Sequence, residues 1–272
     1  MTEILACTAL NGEVYRLDLL SPDIAAEALP GQFVMLRVCE GGERIPLTVA
    51  KAEDGVVTVI VQRVGKTTWQ LTEKKAGESV AGITGPLGKP TPLDGLGNVC
   101  VVGGGLGCAI AWPLVRGLKR AGAEARMIAG FRNKALVILE DELRRDASEL
   151  YICTDDGSRG ERGFVTDKLS ALLQSGRAFD RIFAAGPLVM MKAVCAVAPD
   201  IPVTVSMNPI MVDGTGMCGC CRVNVGGQVR FACVDGPDFD GHAVDFDEAI
   251  RRNRTYLTFE EKQLEEHICK LP

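Results

Sequence analysis

Between residues 98 and 207 short apolar segments alternate with longer segments of helical period, and this alternation restricts the fold more than any other feature of the chain. NVCVV, EARMIAG, LYICT, DRIFAA and PVTVSM are the strand candidates, separated by AIAWPLVRGLKRAG, KALVILEDELRRD, FVTDKLSALLQSG and PLVMMKAVCAV. Strands that are apolar on both faces must be covered on both faces, so the five form a parallel sheet flanked by helices. Such sheets bind nucleotides at the carboxyl ends of their strands. Pro113 falls within the first helix, where it either kinks the helix or sits near its first turn.

Residues 1 to about 93 follow a different rule. EILACTAL, VYRLDLL, QFVMLRV, IPLTVAKA, VVTVIVQRV and ESVAGITG are β-patterned, and Asn11-Gly12, Pro30-Gly31, Gly41-Gly42 and Asp54-Gly55 lie among them as turn signals. Five or six short strands at regular spacing predict a small antiparallel barrel. The single helix candidate here is Thr67 to Lys75. Residues 85 to 97 hold three prolines and four glycines and read as a linker. The chain thus divides into an all-β unit at 1–93, an α/β unit at 98–207 and a loop-rich region at 208–272. The tail of that region, from about 242, reads as one or two solvent-facing helices.

The loop-rich region contains Asp213-Gly-Thr-Gly-Met-Cys218-Gly-Cys220-Cys221, followed at a distance by Cys233. Plant-type 2Fe-2S loops have the spacing C-x4-C-x2-C with a remote fourth cysteine. Here the run is D-x4-C-x2-C-x11-C, so Asp213, Cys218, Cys221 and Cys233 form the candidate ligand set for a 2Fe-2S cluster. Gly214, Gly216 and Gly219 suit a loop that needs positive φ and close backbone approach. Two alternatives stay open. Cys218, Cys220, Cys221 and Cys233 could hold a structural zinc, although the second C-x2-C pair of a zinc knuckle is absent. Either Cys220 or Cys221 could face the metal, and the spacing favours Cys221.

Composition narrows the function classes. A net charge of -5 and a pI near 5.3 argue against a nucleic-acid or anionic-membrane surface, which would want a clustered basic face. No apolar run approaches the roughly 20 residues that span a bilayer, so a cytoplasmic protein is expected. Eleven cysteines with no disulfide-like pattern fit a reducing compartment. Cys7, Cys39, Cys100, Cys108, Cys153 and Cys195 read as small core hydrophobes.

Three glycine-rich turns follow predicted strands. Gly103-Gly104-Gly105-Leu106-Gly107 opens a helix, the setting in which backbone amides accept a pyrophosphate, although the last glycine of G-x-G-x-x-G is replaced by Cys108. Thr154-Asp155-Asp156-Gly157-Ser158-Arg159-Gly160 and Ala185-Gly186-Pro187 lie at the same sheet edge. In the barrel, Arg44-Ile45-Pro46-Leu47-Thr48 and Gly65-Lys66-Thr67-Thr68 offer cations, hydroxyls and a helix start for a second anionic cofactor, and read equally well as surface residues.

The order of these parts resembles the ferredoxin-NADP reductase superfamily, and within it the electron-transfer subunits similar to that of type B dihydroorotate dehydrogenase. PGQFVML at 30–36, GPLG at 85–88, GGGLG at 103–107, TDDGSRGERGFVTD at 154–167 and GPLVMMKAV at 186–194 carry the resemblance over essentially the whole chain. MNPIMVDGTGMCGCCRV with FACVDGPDFDGH resembles more closely the small subunits of NADH-dependent reduced ferredoxin:NADP oxidoreductase and of sulfide dehydrogenase. Dihydroorotate subunits usually have four cysteine ligands, and Asp213 stands where the first would be.

The resemblance implies FAD in the barrel, NAD(H) on the α/β unit and a 2Fe-2S relay to a larger flavin and iron-sulfur partner, with ferredoxin served through the complex. By position it puts Thr48 beside the flavin ring, within the Arg44, Pro46, Leu47 segment, and Gly65, Lys66, Thr67 and Thr68 on the flavin pyrophosphate. Gly103, Gly104, Gly105, Gly107, Asp155, Asp156, Gly186 and Pro187 border the nicotinamide nucleotide. Two departures stand out: Arg44 lies one residue further from the hydroxyl than in the usual R-x-Y-S motif, and Ala185 replaces the usual cysteine before the Gly-Pro turn. Asp155 and Asp156 oppose a 2′-phosphate by charge and Arg159 favours one; the expected nucleotide is NAD(H). The alternative is the dihydroorotate dehydrogenase electron-transfer subunit itself.

Overall fold

The computed structural model describes residues 1–260 and 262. Its first sheet is built from β1 (Thr2–Ala9), β2 (Val14–Leu20), β3 (Phe33–Arg37), β4 (Arg44–Glu53), β5 (Val56–Gln62), β6 (Ser79–Val80) and β7 (Gly82–Leu87). The order β6-β1-β2-β5-β4-β3-β7 is antiparallel throughout, so the barrel has seven strands where the turn spacing indicates five or six. The difference lies at Ser79–Leu87, where one β-patterned segment splits into β6 and β7 and joins opposite edges of the sheet. Leu87 pairs with Phe33, so the proline- and glycine-rich stretch begins inside a strand.

Two helices sit in this unit. Helix α1 (Pro22–Glu27) has no counterpart in the sequence reading, because six residues with one buried side chain, Ile24, give no periodicity. Its start signal, Ser21 before Pro22 and Asp23, is nevertheless present. Helix α2 (Lys66–Thr72) begins one residue before the expected segment and stops three residues earlier.

The second sheet has the order β11-β10-β9-β8-β12-β13-β16. Its strands are β8 (Asn98–Gly104), β9 (Glu124–Phe131), β10 (Glu149–Thr154), β11 (Glu161–Arg162), β12 (Arg181–Ala185), β13 (Val203–Ser206) and β16 (Asp238–Asp240). The five expected parallel strands are present, extended at one edge by the two-residue β11 and at the other by antiparallel β16. Helices α3 (Gly107–Arg120), α4 (Glu140–Asp146), α5 (Val165–Gln174) and α6 (Leu188–Val197) connect them. Pro113 lies in the middle of α3 and is buried, not in the first turn. Beyond β13 come β14 (Arg222–Val225), β15 (Gln228–Phe231), α7 (Ala232–Asp235) and α8 (Phe246–Asn253). The expected tail helices begin with α8; His267 and Cys269 lie outside the described residues.

Among the described residues, the region after residue 207 has no separate core. Cys221, Val223, Cys233 and Phe239 are buried in the same cluster as Phe33 and Met35 of the barrel and Val102 and Val205 of the parallel sheet. Truncating one such large side chain to alanine typically costs about 2–5 kcal/mol, so this shared core ties the three regions into one body. Cys100, Cys108, Cys153 and Cys195 are buried as expected, whereas Cys39 is exposed beside the Gly41-Gly42 turn and Cys7 is half-buried.

Polar links reinforce the junction. Glu53 of β4 accepts from Arg116 and from Arg120 (2.6 Å) of α3, and pairs with Lys51 at 2.9 Å. These cations, Lys51 foremost, hold the Glu53 carboxyl down at about 2. The buried Trp112 of α3 donates its indole N–H to Asp146 of α4 at 2.8 Å, satisfying the one polar atom of a large ring.

Candidate functional site

A narrow cleft opens where barrel, parallel sheet and C-terminal region meet. Pro46, Leu47 and Thr48 of β4 face it together with Phe33, Leu106 and Met207. The β3–β4 register explains the barrel's share, since Phe33 pairs with Thr48 and Met35 with Pro46. Mostly apolar walls with the Thr48 and Ser206 hydroxyls and the Asn208 amide suit a flat ring with a polar edge. Phe33, Leu106 and Met207 were missed from sequence because they come from three distant segments, and only their position after strand or turn signals hints at them.

The expected phosphate site at α2 is partly occupied by the protein's own groups. Thr68 Oγ1 accepts the Val64 and Gly65 amides at 3.0 Å each, and Thr67 Oγ1 donates to Glu43 at 2.8 Å. The exposed Lys66 ammonium and the first-turn amides remain for an anion. Arg44 is exposed, and its charge acts on Asp213 across the barrel rim.

At the carboxyl edge of the parallel sheet the three glycine turns come together. Gly105 has φ +55°, its amide donates to the Gly130 carbonyl at 2.8 Å, and a Cβ there would meet nothing within 4 Å. Its open face leaves room for a ligand against the backbone, at the head of α3. A Cβ on Gly107 would lie 2.1 Å from the Ala185 carbonyl oxygen, so the first and third turns pack backbone to backbone. Pro187 caps α6 behind Gly186. In the second turn Thr154, fully buried, accepts the Arg159 amide at 3.1 Å and donates to the Arg159 carbonyl at 2.9 Å, which fixes the loop bearing Asp155 and Asp156.

The cysteine loop is built to receive negative charge. Gly214, Gly216 and Gly219 have φ of +86°, +87° and +66°. The amides of Cys220, Asp213 and Val212 turn toward the Cys218 sulfur and lower its pKa, the Cys220 amide most. Cys221 and Cys233 are both 1% exposed with their sulfurs 3.2 Å apart; burial first, then Cys221, pushes the Cys233 thiol up to about 12. Asp213 is held below its usual value by Thr215, whose amide donates to Oδ2 at 3.1 Å. Among the described residues no three His, Cys, Asp or Glu side chains gather at one point, and of the four expected ligands Cys221 and Cys233 are the pair in direct contact. Inward amides and a pair of soft sulfur ligands fit an anionic iron-sulfur cluster. Cys220 is half-buried beside Cys218, and its carbonyl accepts from Arg252 of α8 at 3.2 Å.

The fold and these sites define a ferredoxin-reductase-type flavoprotein with an added iron-sulfur domain. Residues 208–245 match the iron-sulfur cluster binding domain of dihydroorotate dehydrogenase B. The chain is 46% identical over 260 residues to the Thermotoga maritima dihydroorotate dehydrogenase B (NAD(+)) electron transfer subunit homolog, covering 94% of this chain and 92% of that one. It is 36% identical to the corresponding electron transfer subunit of Geobacillus thermodenitrificans, over 83% of this chain and 90% of that one. A chain of the NADH-dependent reduced ferredoxin-NADP oxidoreductase, solved in work on flavin-based electron bifurcation, superposes with TM-score 0.94 at 44% identity, covering 99% and 98% of the two chains. Phthalate dioxygenase reductase shares the fold, with TM-score 0.62 at 16% identity over 82% of this chain and 85% of that one. The protein belongs to the family of dihydroorotate dehydrogenase B electron-transfer subunits, flavin and iron-sulfur components of oxidoreductases.

Proposed function

We propose that this chain carries electrons between NAD(H) and a larger flavin and iron-sulfur subunit, by way of FAD and a 2Fe-2S centre, in a ferredoxin:NADP oxidoreductase complex. The observation that carries this reading is the seating of the ligand loop on the cleft wall. A Cβ on Gly214 would lie 2.7 Å from Met35 Cγ and 3.0 Å from Leu87, and Met35 pairs with Pro46, which lines the cleft. Cluster loop and flavin cleft are therefore two sides of one strand pair, and the nucleotide turns open onto the same junction through Leu106.

When bound, the flavin supplies a centre that takes two electrons from a nicotinamide and passes them on singly. The chain's own residues bind and orient. Pro46, Leu47 and Thr48 hold the ring edge while Phe33 and Met207 exclude water; Gly65, Lys66, Thr67 and Thr68 frame the flavin pyrophosphate, with Lys66 supplying the charge. The Arg44 charge also acts on Asp213 and so serves the loop as well as the cofactor. Gly103, Gly104, Gly105 and Gly107 present amides to the nicotinamide nucleotide, bordered by Asp155, Asp156, Gly186 and Pro187. Asp213, Cys218, Cys221 and Cys233 hold the cluster.

Asp213 favours this complex over dihydroorotate oxidation, since it takes the place of a fourth thiolate. A carboxylate donates less to iron than a thiolate does and raises the potential. Asp213→Cys is expected to lower the cluster's reduction potential, by an amount on the order of 100 mV, in a redox titration followed by electron paramagnetic resonance. An unchanged potential removes Asp213 from the ligand set. Copurification tests the partner: the associated chain should bind flavin and iron-sulfur centres, and dihydroorotate-dependent reduction of the complex would transfer the chain to the alternative reading.

A further inference from the structure

The turn after β10 places two acids, Asp155 and Asp156, within four residues of a cation, Arg159, which gives opposing signals for a 2′-phosphate. The side chains remove the conflict. Arg159 lies against Glu140, the first residue of α4: Nε donates to Oε2 at 3.1 Å and the Nη2 group pairs with Oε1. Arg144 adds a second guanidinium to Glu140 at 2.9 Å. This carboxylate is only 21% exposed and is held below its ordinary value, by Arg159 first. The Arg159 backbone is pinned from the other side by the buried Thr154 hydroxyl.

The second acid acts in the same manner on the neighbouring donors. Asp156 Oδ1 accepts from the Ser158 amide at 2.9 Å and from its hydroxyl at 2.6 Å, while Ser158 Oγ accepts the Lys134 amide at 2.7 Å. A phosphate monoester is bound by guanidinium, hydroxyl and amide donors, with Arg preferred for its fork geometry. In this turn the guanidinium, the hydroxyl and the Ser158 amide all donate to carboxylates of the chain itself. Asp155 adds a further charge of the same sign, with its own amide donating to Phe131 at 3.1 Å. The exposed Arg132 and Lys134, just beyond β9, and Arg162 of β11, whose stem packs beside Gly157, are further cations near this turn.

We propose that Glu140 and Asp156 stand in for a 2′-phosphate, so that the turn selects NAD(H) over NADP(H), with Glu140 a positioning residue acting through Arg159. Selectivity then arises because the phosphate's donors are already occupied, not because a cation is lacking. The inference rests on the proposed reading that this turn borders the bound nucleotide.

The test is equilibrium binding of NAD+ and NADP+ to the cofactor-loaded protein by calorimetry, with no turnover. Wild type should bind NAD+ more tightly than NADP+; failure to bind NAD+ at all would refute the functional reading itself. With NAD+ binding in place, Glu140→Gln frees Arg159, and the affinity ratio should move toward NADP+ by about tenfold, the effect of one charge-assisted hydrogen bond. Adding Arg159→Gln to Glu140→Gln should cancel the gain, whereas adding Arg132→Gln should not. An unchanged ratio in Glu140→Gln, or a gain that survives Arg159→Gln, overturns the inference. Should Glu140→Gln prove unstable, Arg159→Gln alone decides: an occupied guanidinium predicts the wild-type ratio, and a selective loss of NADP+ affinity means that Arg159 is already free to bind the phosphate.

Discussion

Cys233→Ser should come from anaerobic purification with its flavin and without its cluster. Cys233 is 1% exposed on α7, with its sulfur 3.2 Å from Cys221, so its loss leaves a buried position of the ligand set unfilled. Serine offers a hydroxyl that gives up its proton far less readily than a thiol and a hard oxygen poorly matched to an iron-sulfur centre. Iron and acid-labile sulfide should fall together to roughly a tenth of wild type or less. The cleft draws nothing from Cys233, so the flavin absorption should persist. Cys220→Ser is the internal control: the half-buried thiol beside Cys218 is assigned no iron, and its loss should leave the cluster in place. Cluster loss in Cys220→Ser with retention in Cys221→Ser would exchange the two assignments.

The second large effect is expected at Gly107. A valine there puts Cβ 2.1 Å from the Ala185 carbonyl oxygen and 2.5 Å from its carbon, and backbone atoms cannot swing aside as a side-chain end can. The turns after β8 and β12 must then separate, at a stability cost of about 1–3 kcal/mol or more, with nucleotide binding lost. Gly105→Ala is the informative companion. Its Cβ meets nothing, and its φ of +55° costs an alanine only about 1–2 kcal/mol. That variant should fold, keep flavin and cluster, and bind NADH at least about tenfold more weakly, because the methyl occupies the face left open for the nucleotide. Thermal melts and NADH binding together separate the two cases: a Gly105→Ala protein with full NADH affinity would place the nucleotide elsewhere.

The parts of this molecule that were legible in the sequence are those whose physics is local. The five parallel strands announce themselves through short apolar runs that alternate with helical segments, and the cluster loop through its ligand spacing among glycines; all three loop glycines have positive φ. Short elements were not legible. Helix α1 buries only Ile24, and β16 has a single apolar residue, Phe239, flanked by aspartates, so neither leaves a period to detect. Nor could contacts between distant residues be read. Phe33, Leu106 and Met207 become one cleft only when the barrel docks on the sheet. The pairing of Arg159 with Glu140, nineteen residues away, reverses what an arginine in that turn suggests. The Thr67 hydroxyl, read as a phosphate donor, is already given to Glu43.

The proposed electron path requires one chain to hold a nucleotide site, a flavin cleft and a cluster loop in electronic contact. An anaerobic NADH titration of the purified protein, followed by visible absorption and electron paramagnetic resonance, tests it most directly. The protein should be coloured, its flavin and iron-sulfur bands should both bleach on addition of NADH, and a reduced 2Fe-2S signal should appear that is lost in Cys233→Ser. A colourless protein containing zinc, or one whose cluster stays oxidised while its flavin is fully reduced, would contradict it.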